Sequence, residues 1–301
     1  MSSPEELVTI TDVTLRDGLQ IQPAVVDLDT KLAVLAGLSA AGVRSFEVGS
    51  FVNPAVVPQM ADTATLFGAM PRRPDTSYAA LVPNLRGARL AVDAGVTSVR
   101  MVLSASEGHS QSNTRRSVAE GLQATRAVVE FLAGERVAVS AAVATAFVCP
   151  FDGVTPVERV EQIVGDLLGM GLTDFVLADT IGRADPAHVG RLTAGVLACF
   201  PEATFGLHLH NTYGMALAGV VSGLEHGITR FDSALGGIGG CPFAPGAAGN
   251  VATEDVVHML ESMGHPTGIE LGLLADVAAT LHKGIRAPLD SSVARALAWV
   301  S

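Results

Sequence analysis

The chain has little of what several functional classes require. Among its 301 residues are three cysteines, Cys149, Cys199 and Cys241, an odd and widely spaced set that excludes a disulfide framework and a zinc ribbon. Cys199, at the end of a helical pattern, is expected as a small buried hydrophobe, and Cys149, before Pro150, as a structural residue. No apolar run reaches the roughly 18 residues of a membrane span, and the acidic start Met-Ser-Ser-Pro-Glu-Glu is unlike the basic flank of a signal peptide. A soluble cytoplasmic protein is expected. Basic residues are scarce too: 19 Lys and Arg against 30 Asp and Glu give a net charge of −11, which leaves no footprint for nucleic acid or an anionic membrane. An anionic small substrate therefore needs a locally basic pocket. The first apolar run leads into Arg16-Asp17-Gly18 without a G-x-G-x-x-G, which weighs against a dinucleotide-binding fold.

What is present is alternation. Apolar runs at Val8–Thr14, Val43–Ser50, Ser77–Val82, Ser98–Leu103, Val137–Ala144, Asp174–Ala178, Thr204–His210 and Ile228–Ser233 read as strands. Between them lie amphipathic stretches such as 30–41, 115–132, 156–170, 186–200 and 213–226, which read as helices. Near-continuous apolar strands between helices predict a parallel sheet covered on its outer face. Eight units in about 250 residues favour a closed (β/α)8 TIM barrel. The chain is expected to form one catalytic domain over 1–301, with the barrel at about 7–264 and extra C-terminal helices at about 265–301.

Chemistry in such a barrel sits at the C-terminal ends of the strands. His208 and His210, separated by one residue, point the same way off a strand, so they can hold one divalent metal; hydrogen-bonded core histidines are the structural alternative. Asp17 follows the first strand and Asn250 follows the eighth, in the glycine-rich loop 236–250. Strands one, seven and eight are neighbours in a closed barrel. One carboxylate, two imidazoles and an amide oxygen suit Mg²⁺ or Mn²⁺ with open positions, with zinc as an alternative. Arg16, beside Asp17, is suited to stabilising an oxyanion or enolate. Its alternative is an ion pair with Glu47 at the end of strand two, and the two combine if Glu47 orients Arg16. Cys241, among glycines 236, 237, 239, 240 and 246, can bring a thiol over the barrel mouth as an acid or base.

At these residues the sequence resembles the 3-hydroxy-3-methylglutaryl-CoA (HMG-CoA) lyase family, metal-dependent TIM-barrel enzymes related to isopropylmalate and homocitrate synthases. The resemblance runs from Asp12-Val-Thr-Leu-Arg-Asp-Gly-Leu-Gln20 to about Gly268, through blocks at 50–62, 82–86, 178–182, 208–214 and 239–250. It implies Asp17, His208, His210 and Asn250 as metal ligands, Arg16 as the enolate-stabilising cation, Cys241 as the thiol for proton transfer and Gln20 near the substrate. Leu19 separates the chain from the condensing synthases, which typically carry Glu there. Ile21, Gln22, Asn211 and Phe243 depart from the lyase pattern; none removes a ligand or the thiol, and Ile21 and Gln22 bear on which acyl-CoA is taken. The implied reaction cleaves HMG-CoA, or a close 3-hydroxy-3-alkyl acyl-CoA, to acetyl-CoA and acetoacetate or a related keto acid. The metal binds the tertiary hydroxyl and a carboxylate oxygen, and His208 is a candidate proton relay. A condensing or aldolase enzyme acting on a 2-keto acid is the enzymatic alternative, and a non-catalytic metal-binding barrel the other. Expected partners are a small acyl-CoA and, by resemblance, a second copy in a homodimer. The pathway, leucine degradation or that of another branched acid, stays open.

Overall fold

In a computed structural model, residues 7–240, 249–286 and 289–298 are described. Eight parallel strands close into a barrel: β1 (Thr9–Asp12), β2 (Ser45–Ser50), β3 (Ser77–Leu81), β4 (Ser98–Ser104), β5 (Ala138–Ala144), β6 (Asp174–Asp179), β7 (Thr204–Leu209) and β8 (Arg230–Ser233). All eight coincide with the expected apolar runs. Closure is made where β1 pairs with both β2 and β8, Asp12 standing opposite Ser233, while β8 sets Asp232 beside His208 of β7.

Helices cover the barrel because their apolar residues recur at helical spacing. In the helix Val157–Leu168, Val160, Ile163, Val164 and Leu167 are all buried, and burying each such side chain contributes about 1.5–3 kcal/mol. Helix starts are capped by side chains: Asp27 accepts from the Thr30 N–H, and Ser117 with Glu120 forms a reciprocal capping box. Such caps contribute about 1 kcal/mol each. The stretch expected as a helix from 115 is broken, because Arg115 adopts φ +56 and ends a separate helix Glu107–Thr114; the long helix starts at Val118. The helix expected from 213 starts at Ala216, after Gly214 at φ +72. Its first N–H is held by Asn211 Oδ1 at 3.2 Å.

Two helices, Leu271–Ile285 and Ser292–Ala298, follow the barrel. A two-strand hairpin, Val148–Cys149 with Gly153–Val154, lies beyond β5. Cys149 is buried there, its sulfur accepting from Ser106 Oγ at 2.9 Å. Cys199 corrects the sequence reading: it is exposed and meets Glu161 at 3.5 Å, because the helix Pro186–Cys199 ends on it and the chain turns away at Phe200. No helix among the described residues is long and apolar enough to cross a membrane.

Candidate active site

A single π-helical turn, Thr14–Gly18, follows β1 and carries Arg16 and Asp17. Such turns recur at functional sites because they re-aim successive side chains. Asp12 starts the turn, accepting from the Thr14 N–H at 3.0 Å and the Thr14 hydroxyl at 2.8 Å. Gly18 ends it under Ile238, whose side chain lies 2.7 Å from where a Cβ would stand and would have to shift for any larger residue.

Asp17, His208 and His210 each present a ligand atom, all within 4.8 Å of one another. The two histidine Nε2 atoms face each other at 3.0 Å and stand 3.9 and 3.5 Å from Asp17 Oδ2. Asn250 Nδ2 donates to the same Oδ2 at 2.9 Å, while its Oδ1 is buried without a partner among the described residues. Gly239, at φ +123, passes so close that a Cβ would lie 2.5 Å from Asn250 Nδ2.

Around this cluster runs a buried ionic ring. Arg16 pairs with Asp17 through Nη1 and with Glu47 Oε1 through Nε at 2.6 Å. Arg100 Nη1 reaches Glu47 Oε2 at 2.8 Å and Asp232 Oδ2 at 2.6 Å. Asp232 Oδ2 then accepts from His208 Nδ1 at 3.1 Å, a carboxylate–histidine contact that aims Nε2 at the cluster. Glu47 thus orients Arg16 from the middle of β2 rather than from its end, just before a register shift between Glu47 and Gly49.

The electrostatics follow from burial and charge. Burial raises the Asp17 pKa, but the Arg16 charge and the histidines overcome it and hold the carboxyl well below its usual range. His208 is pulled down by burial yet ends raised, through Asp232 and Asp17. Three carboxylates against two guanidiniums leave the ring one negative charge in excess. Excess negative charge, converging nitrogen lone pairs and an orphaned amide oxygen are the features of a cation site. The donor set fits a divalent metal.

The site opens into a cavity of about 480 Å³ lined by Arg16, Asp17, His208, His210 and Gln20, with Arg100 and Arg116 adding positive charge. Because Arg16 and Arg100 are paired with carboxylates, the positive charge that an anionic substrate of so acidic a chain requires would come from Arg116 and a bound divalent cation. Val52, Asn53, Val56 and Val57 form part of the lining, on a segment held from behind by the buried Lys31, which bonds Gln59 O at 2.9 Å and Asp62 at 2.6 Å. Ile21 is exposed and Gln22 bonds Gly18 O; neither lines the cavity. Cys241 and Phe243 lie outside the described residues. Sequence reasoning missed Arg100, whose signal was a lone charge within an apolar strand, and Asp232, which shares its short strand with Arg230.

The HMGL-like family model matches residues 7–281. The chain belongs to that family. It is 41% identical, over 97% of its length and 95% of the relative's, to the (R)-citramalyl-CoA lyase of Chloroflexus aurantiacus. It is 38% identical to the hydroxymethylglutaryl-CoA lyase of Bacillus subtilis, over 94% of this chain and 95% of that one. The solved structure of an HMG-CoA lyase from Acinetobacter baumannii, in complex with coenzyme A and 3-methylmalate, superposes with a TM-score of 0.94 at 40% identity, covering 98% of this chain and 97% of that one. The protein is a carbon–carbon lyase of this family on a TIM barrel.

Proposed function

We propose that this lyase cleaves HMG-CoA, or a close 3-hydroxy-3-alkyl acyl-CoA, to acetyl-CoA and acetoacetate or a related keto acid. The observation that carries the reading is the convergence of Asp17, His208 and His210 beside Arg16, at the wall of a cavity large enough for an acyl group. Asp17, His208, His210 and Asn250 would hold Mg²⁺ or Mn²⁺, which when bound would supply the Lewis acidity that lowers the pKa of the substrate hydroxyl.

Arg16 stays protonated between Glu47 and Asp17 and stabilises the thioester enolate as the C2–C3 bond breaks. Glu47 keeps its guanidinium aimed. Cys241 delivers the proton to the enolate carbon. The hydroxyl proton leaves through His208, whose Nε2 faces the cluster and whose Nδ1 meets Asp232. Gln20 meets the acyl end from the cavity wall.

One finding favours a second substrate. The relative from C. aurantiacus is named for citramalyl-CoA, whose carboxylate sits directly on the carbinol carbon and whose cleavage releases pyruvate in place of acetoacetate. The purified protein should release acetyl-CoA and acetoacetate from HMG-CoA with Mg²⁺ or Mn²⁺ and neither with EDTA. Pyruvate release from citramalyl-CoA alone would transfer the assignment to that substrate, and metal-independent release would remove the metal. Replacing Cys241 by Ala should slow turnover by roughly 10²–10⁴ at unchanged Mn²⁺ affinity; wild-type turnover would take the thiol out of the reaction.

A further inference from the structure

We propose that Arg100 forms a carboxylate subsite that reads the charge at the far end of the acyl group. The inference rests on the acyl-CoA reading above and concerns a side chain to which that mechanism gives no part. Arg100 projects from β4 into the barrel, where both of its carboxylate partners, Glu47 and Asp232, fall on the single nitrogen Nη1. Nε has no partner. Nη2 makes no hydrogen bond among the described residues and is not enclosed as Nε is, so it opens onto the cavity that Arg100 lines.

A guanidinium offers five donors in a planar fork suited to carboxylates. Here Nη1 is saturated and Nη2 is unspent. The neighbouring wall is apolar: Leu81, Val102, Ala142, Ala144 and Ala178 supply no competing polar side chain. Glu47 and Asp232 anchor the fork before any ligand arrives, so its free edge needs little ordering on binding.

Charge balance points the same way. The ring of Arg16, Arg100, Asp17, Glu47 and Asp232 carries one excess negative charge, and a divalent cation would leave it with one excess positive charge. A single carboxylate restores neutrality in a buried site, where an unpaired charge is costly.

The test is equilibrium binding of glutaryl-CoA and butyryl-CoA to the Mn²⁺-loaded protein. The two differ by one terminal carboxylate, and neither has the hydroxyl that cleavage needs. Wild type should bind glutaryl-CoA at least about tenfold more tightly, the effect of one charge-assisted contact. Arg100→Met should erase that preference, glutaryl-CoA losing more affinity than butyryl-CoA. Arg100→Lys keeps a cation between Glu47 and Asp232 but lacks the second edge. It should lose the preference too, and it carries the test if the methionine variant does not fold. No preference in wild type, a preference that survives both substitutions, or an equal fall for both thioesters would overturn the subsite. Cleavage of HMG-CoA by wild type, measured alongside, decides the proposed activity separately.

Discussion

The cavity wall made by β1, β7, β8 and the segments after them holds Asp17, to which Asn250 is bonded, with His208, His210 and Asp232, whereas β3 to β6 present Leu81, Val102, Ala142, Ala144 and Ala178 around the one guanidinium of Arg100. On the first wall the carboxylates Asp17 and Asp232, like Glu47 of β2, are each tied to a guanidinium. On the second, small apolar side chains leave space. The contrast separates two tasks: a rigid, mutually oriented set of charges suits bond cleavage, and an apolar wall sets which acyl group fits. If the division is correct, substitutions on the two sides should fail in different ways.

The largest effect is expected at Arg16. Arg16→Gln should lower kcat by about 10²–10³ while changing Mn²⁺ affinity far less, as read by steady-state kinetics and a Mn²⁺ titration. If metal binding were lost instead, Arg16 would serve Asp17 rather than the enolate, and the charged wall would act as one unit. Asp232→Asn should weaken Mn²⁺ binding about 10–100-fold, as expected when a histidine ligand loses its orienting carboxylate.

On the apolar wall, Ala144→Leu should raise KM by roughly tenfold or more and leave Mn²⁺ affinity untouched. A matching loss of metal affinity would erase the distinction between the walls. The smallest effect is expected behind the site, at Glu254. Its two oxygens accept from the Gly236 N–H at 3.0 and 2.9 Å, and burial, with Asp255 and Asp12 adding, pushes its pKa up from 4.5 to about 7. A raised carboxyl contributes most to stability below its ordinary pKa. The folded form then retains a proton that the unfolded chain releases, so stability falls as pH rises from about 4.5 to 7. Glu254→Gln should narrow the difference in stability between pH 5 and pH 8 by on the order of 1 kcal/mol, read from urea midpoints. An unchanged difference would place the titration elsewhere.

The barrel was legible because each strand is a short apolar run and each covering helix keeps its own period, so local pattern and global fold agree. Asp17, His208 and Asn250 were legible because polar groups at strand ends stand out against that pattern. Arg100 and Asp232 were not. Arg100 is a single charge within an apolar strand and Asp232 one of two charges in a four-residue strand, and only closure of the barrel shows that they meet, 132 residues apart in sequence. Cys199 was misread for a complementary reason. It stands three residues after the buried Val196 and continues the buried stripe in sequence, but the helix ends there.

The glycine-rich segment ends where it begins. Asn250 donates to Ile238 O through its backbone at 3.4 Å and through Nδ2 at 3.0 Å, and its neighbours bond the end of β7, Val251 N to Leu209 O at 3.0 Å and Asn211 N to Gly249 O at 2.9 Å. A span stapled at its base can be exchanged or lengthened at an entropic cost that grows only slowly with its length. The anchor that sets the amide beside Asp17 is made by residues on either side of positions 241–248, so changes of sequence between them leave it in place.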